Sequence, residues 1–206
     1  ALIDLRQGQI FTALGQLDQA YTAYLDAVTR YPTSYDSYSA LVVLVDAGIP
    51  VDELSRGLVD YFAGQYGAAA AAFDRYLQNN PADPGTARYY SGLAKRRLGN
   101  LDAALNDWEK IILNITDHTF WDEAWEQTAD TLWRDLDRHP EAIETLLEFV
   151  DLAPDHPRAA EFLFDAAQIA ELDTNLGQAA ELFERVANLY PGDGRAGRAL
   201  FLSGLA

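Results

Sequence analysis

Three histidines, His118, His139 and His156, are the first residues of this 206-residue chain to weigh as metal ligands or proton carriers. A metal site needs several ligands converging at short range. These three are far apart, and two of them directly precede a proline, so helix capping or solvent exposure accounts for them. The acidic pairs Asp122/Glu123 and Glu144/Glu148 have the composition of an acid and base couple. That chemistry requires two carboxylates in unlike environments within a pocket, whereas a solvated face requires only the acidity the whole chain has. Trp121, Trp125 and Trp133, spaced by four and eight, share a helical stripe that could stack on sugar rings or bury against a neighbouring helix, and burial is the simpler reading. Arg96, Arg97 and Arg134 stand near the expected ends of helices. There they can receive a carboxylate or another anion through paired hydrogen bonds, or complement the helix dipole and pair with nearby acids. Tyr61 and Tyr89 are amphipathic rings suited to peptide or glycan contact. No catalytic residue, metal site or cofactor is expected from this set.

Composition narrows the partners. Fifteen basic residues against 32 acidic ones leave a net charge of −17, the wrong sign for a surface that tracks phosphates. Nucleic acid is therefore not an expected partner. No apolar run approaches the length of about 18 residues that spans a bilayer. Cysteine is absent, so disulfides and thiolate chemistry are excluded and the redox compartment is left open. The first residues, Ala1-Leu2-Ile3, read as the interior of a helix, and residues 195–206 read as the start of a further repeat, so the expectation is a segment of a longer protein.

The elements that must carry these side chains follow from a phrase repeated five times. It consists of a small residue, a helix-ending position seven on, Ala five further, a bulky residue four further, and usually Pro at the end. The copies start at Gly8, Gly57, Gly92, Asp130 and Ala167. The strongest run Gly8, Gly15, Ala20, Tyr24, Ala27, Pro32 and Gly57, Gly64, Ala69, Phe73, Tyr76, Pro81. Such a period marks helical hairpins that pack each on the next. In each unit the first Gly allows close approach of two helices, the second ends the first helix in a left-handed conformation, and the Ala with the bulky residue forms the buried stripe of the second helix. The fourth and fifth copies keep Ala142 and Ala179 but lose both glycines. Asp83-Pro84, His139-Pro140 and His156-Pro157 each place proline at an expected helix start.

The predicted fold is all-α: a right-handed α-α superhelix of about five hairpins plus one extra helix, in one elongated array. Repeats are expected at about 1–33, 50–83, 84–118, 119–156 and 157–193. The first two copies are 49 residues apart and the later ones 35, 38 and 37, which places an additional helix at about 34–47. Where the phrase breaks, at Gly48 to Asp52 and Thr116 to Trp125, curvature and partner contact are expected to be specified.

These positions resemble the tetratricopeptide repeat family across nearly the whole chain. The resemblance implies an interaction scaffold whose first helices line a concave groove, and it places Tyr61, Tyr89, Arg96, Arg97 and Arg134 there as candidate contacts for a protein or peptide. A narrower resemblance is carried by the segments 56–66, 87–92, Trp121-Asp122-Glu123-Ala124-Trp125 and Thr131-Leu132-Trp133. They are similar to the helical region of bacterial soluble lytic transglycosylases. That resemblance implies a non-catalytic scaffold outside the cytoplasm, with peptidoglycan fragments as further candidate partners. A free-standing adaptor that binds a partner peptide is the alternative.

Overall fold

The computed structural model describes residues 1–79 and 81–205. Among these residues the regular backbone is helical, in twelve α-helices and one π-helical turn. No helix among them is long and apolar enough to cross a membrane. The chain divides into two compact units, Ala1–Asp107 and Trp108–Ala206.

The first unit contains α1 (Leu2–Ala13), α2 (Leu17–Arg30), α3 (Tyr35–Asp46), α4 (Glu53–Phe62), α5 (Tyr66–Gln78), α6 (Pro84–Arg97) and the first half of α7 (Leu101–Asn114). Within it α1 packs on α2 and α4 on α5 as hairpins. The first-helix glycines explain how they fit. A Cβ on Gly8 would lie 2.3 Å from the ring of Tyr24, and one on Gly57 would lie 2.5 Å from the ring of Phe73. The aromatic ring of the second helix thus lies against bare backbone of the first, an approach no other residue permits. The hairpin turns follow the same logic, with Gly15 at φ 72° and Gly64 at φ 76°.

The expected extra helix is α3, and its residues explain its role. Ala40, Leu41 and Leu44 are buried in the core formed with α1, α2 and Val59 of α4, and the helix ends at Gly48 with φ 68°. It therefore has the ending of a first helix, but α4 follows it where a second helix would stand. Ser37 is fully buried, donating to the carbonyls of Ala27 at 2.9 Å and Tyr31 at 2.6 Å and so tying α3 to the end of α2.

The second unit holds the rest of α7, then α8 (Trp121–Asp130), which runs directly into the π-helical turn Thr131–Asp135. Next come α9 (His139–Leu152), α10 (Ala159–Leu172), α11 (Leu176–Leu189) and α12 (Ala196–Ser203). Its hairpins keep the phrase's geometry without its glycines. Asp137 and Thr174, standing where the earlier copies have Gly15 and Gly64, adopt φ 56° and 60°. Asp tolerates this region because its short polar side chain can bond locally, whereas a β-branched Thr is strained there.

Two of the three expected proline starts hold as read. Asp83 caps α6 by accepting from Thr86 N at 3.0 Å with Pro84 in the first turn, and Pro140 lies in the first turn of α9. The third differs: Pro157 sits in the turn before α10, which begins at Ala159. The ring of His156 accepts from Arg158 N at 3.2 Å, closing that turn before the helix can start.

Candidate functional site

The tryptophan stripe divides. Trp125 is 3% exposed and packs against Trp121 and Phe149 at ring distances of 6.1 and 6.0 Å. Trp121 also donates from its indole to the carbonyl of Ile112 at 3.2 Å. Trp125 belongs to the core, and Trp121 stands partly exposed at its edge. Trp133, within the π-helical turn, is likewise partly exposed. Its indole donates to Asp130 at 3.2 Å, and the guanidinium of Arg134 lies over its ring at 4.5 Å.

Beside Trp133 the second unit opens a cavity of about 450 Å³ between α8 with its π-helical turn and α10, floored by Leu146 of α9. Its origin is a departure from the repeat. Gly8 and Gly57 each face an aromatic ring from the second helix, but here the same two positions are Asp130 and Leu146. The ring is gone and a carboxylate points into the gap. Phe162 and Ile169 complete the apolar wall, and Glu126, Asp165, Gln168 and Glu171 bring polar groups to it.

The charges around this cavity are not equivalent. Arg158, at the start of α10, lies over Phe162 at 4.6 Å and pairs with Glu126 at 2.9 Å, Glu161 at 3.1 Å and Asp122 at 3.4 Å. Burial opposes its charge, but those carboxylates outweigh it and raise its pKa. Asp165 forms no hydrogen bond or ion pair among the described residues. Burial, helped by Glu161 and Glu126 and opposed by Arg195 and Arg158, pushes its carboxyl up to about 6. Glu123 is also pushed up, chiefly by burial.

In the first unit, the structure gathers Tyr61, Phe62, Tyr66, Tyr89 and Tyr90 into one aromatic patch. Tyr61 meets Tyr90 at 5.2 Å, Phe62 at 5.3 Å and Tyr66 at 5.6 Å, and Tyr89 meets Tyr90 at 5.4 Å edge to face. Burial raises the pKa of Tyr61 while the nearby charge of Arg97 works against it, so that arginine stands by the patch. Arg96 is half-buried and Arg97 exposed on the same last turn of α6. Arg134 belongs to the other unit, where it pairs with Asp130 at 3.3 Å and covers Trp133.

The remaining candidates have local roles. His118 accepts from Phe120 N at 3.1 Å, and His156 closes the turn already described. His139 lies 2.9 Å from Asp173 and 3.3 Å from Asp137. No group of three or more His, Asp or Glu is placed to hold a metal ion among the described residues. Glu144 and Glu148 are exposed along α9. Sequence reasoning passed over Asp165, Glu171 and Arg158, which look like ordinary charges on a helix. The available signal was Asp130, an acid at a position the other copies keep small.

Family profiles described as tetratricopeptide repeat match residues 54–117, 127–194 and 4–34. One matching solved structure is a tetratricopeptide repeat protein from Parabacteroides merdae, 17% identical, with a TM-score of 0.50 over 98% of this chain and 72% of that one. At that identity the likeness is one of fold. No curated protein matches.

Proposed function

Because this chain belongs to the tetratricopeptide repeat family, we propose that it is a protein-interaction scaffold that receives an extended peptide along its first helices. One observation carries this reading. In the first unit the face between α4 and α6 holds Tyr61, Tyr89 and Tyr90, all partly exposed, and in the second unit the face between α8 with its π-helical turn and α10 holds the partly exposed Trp133. Half-exposed aromatic groups beside charged ones are what peptide contacts use, since the ring supplies area at little entropy cost. Tyr61, Tyr89, Arg96 and Arg97 are the proposed contacts in the first unit. No residue is proposed to carry a reaction.

Panning a random dodecapeptide library on the full chain, then mapping the selected peptides by amide chemical shifts, tests the reading. Shifts concentrated on α4, α6, α8 and α10 support it. Shifts confined to the second helices α5, α9 and α11, or no selected peptide at all, overturn it. Replacing Arg96 and Arg97 by Ala weakens the peptides that map to the first unit. Unchanged affinity with intact helicity removes the two arginines from the binding role.

A second reading places this scaffold in a lytic transglycosylase-like protein of the cell envelope, and it rests on the four short segments alone. Its decisive observation is the complete reading frame. A secretion signal and a lysozyme-like domain support it, and their absence from that frame ends it.

A further inference from the structure

We propose that the cavity between α8 with its π-helical turn and α10 is a subsite for a cationic side chain, Arg or Lys, of the bound peptide. The proposal rests on the scaffold reading above and adds the chemistry of one position.

Size and lining agree on the class of occupant. A cavity of about 450 Å³ lies within the range of about 300–1,000 Å³ typical of ligand pockets. Trp133, Phe162 and Ile169 line it together with the carboxylates of Glu126, Asp130, Asp165 and Glu171. An aliphatic stem with a positive tip matches a lining that mixes apolar side chains with carboxylates. An anion would face four carboxylates, Glu126 among them. A metal ion would need those carboxylates to converge, and they are instead spread along more than a turn of α10 and across to α8.

The groove already shows how it treats a guanidinium. Arg134 spreads over Trp133 at 4.5 Å while pairing with Asp130 at 3.3 Å, an ion pair and a cation–π contact at one place. Two further carboxylates are uncommitted, since neither Asp165 nor Glu171 has a hydrogen bond or ion pair from its side chain among the described residues. Asp165 is half-buried, so its charge is costly until a cation arrives. The groups facing it are Glu161 on its own helix, Glu126 from α8, Arg158 at the start of α10 and Arg195 at the start of α12. The two arginines are engaged by Glu126, Glu161, Asp122 and Asp193. A bound cation would hold Asp165 ionised, so binding strengthens as pH rises through about 6.

The test titrates the full chain with the blocked peptide Ser-Gly-Arg-Gly-Ser and with its citrulline counterpart, which keeps the shape and loses the charge. The arginine peptide is expected to shift the Trp133 indole and the α10 amides, and to bind at least tenfold more tightly than the citrulline peptide. Asp165→Asn combined with Glu171→Gln, checked for unchanged helicity, weakens it at least fivefold. Arg134→Ala strengthens it by removing the internal competitor, and lowering the pH from 7.5 to 5 weakens it several-fold. Equal binding of the citrulline peptide, or unchanged affinity in the double variant, overturns the proposal. Library peptides that bind the first helices without Lys or Arg, leaving Trp133 unshifted, overturn it while the scaffold reading stands. A library that yields no binder removes both.

Discussion

At the scale of the residue, what matters most is what a glycine leaves out. Gly57→Ala improves helix propensity by about 1 kcal/mol but drives a methyl group into the ring of Phe73 at 2.5 Å. The clash wins, and a net loss of about 1–2 kcal/mol is expected in urea denaturation. Gly67→Ala in α5, with nothing within 4 Å of its Cβ position, is the control and gains a few tenths of a kcal/mol. Thr174, at φ 60°, offers the reverse case: Thr174→Gly relieves a left-handed β-branched residue and raises stability by about 1 kcal/mol, measured the same way. Asp60 sets a pH dependence. It is 5% exposed, and burial, opposed by Arg56 and Arg75 and aided by Glu53, pushes its carboxyl from 3.8 up to about 6. A raised folded pKa means the folded state holds the proton more tightly than the unfolded one. The contribution is therefore present below about pH 4 and lost as pH rises through about 6. Between pH 4 and pH 7 the wild type should lose of order 1 kcal/mol relative to Asp60→Asn. Parallel stability curves for the two proteins would remove Asp60 as the cause. These buried contacts were partly legible beforehand, since the glycines that face rings stand at fixed spacing from those rings. Asp60 was not, because its burial comes from α3 and α5, which no local pattern around residue 60 reports.

At the scale of the element, the hairpins hold by more than apolar stripes. Asp107 on α7 is 3% exposed, accepts from Ser91 Oγ at 2.8 Å and Lys95 Nζ at 2.7 Å, and lies 3.5 Å from Arg88. Burial opposes the charge of Lys95, but its hydrogen bonds and attraction to Asp107 and Asp74 overcome it and raise its pKa. Lys95→Met leaves a buried carboxylate with one partner fewer, and a loss of about 3 kcal/mol is expected by denaturation. A loss under about 1 kcal/mol would show that Ser91 and Arg88 suffice. The alternation of first and second helices was readable because 3.6-residue periodicity and the turn glycines agree. The π-helical turn at Thr131–Asp135, which holds the partly exposed Trp133, was not. Thr131-Leu132-Trp133 has no composition of its own that announces it.

At the scale of the whole molecule, a net charge of −17 makes self-repulsion a term in stability. Raising NaCl from about 10 to 150 mM shortens the screening length from about 30 to 8 Å. The Tm should rise across that interval, and a fall would show that the attractive surface pairs outweigh the repulsion. The sequence by itself determined the helical repeat, the additional helix at α3 and the interaction class the family implies. All of these rest on residue size at short, fixed spacing, which a linear pattern records. Only the tertiary structure decided which departures from the pattern matter. Asp130 and Leu146 are sixteen residues apart, and neither is unusual alone. A cavity exists because the small residue and the ring that should have met there are both missing at once. The acids that line it from α10 become a site only when folding sets them against Trp133, since the energy of a charge depends on what lies across the gap from it and not on its neighbours in the chain.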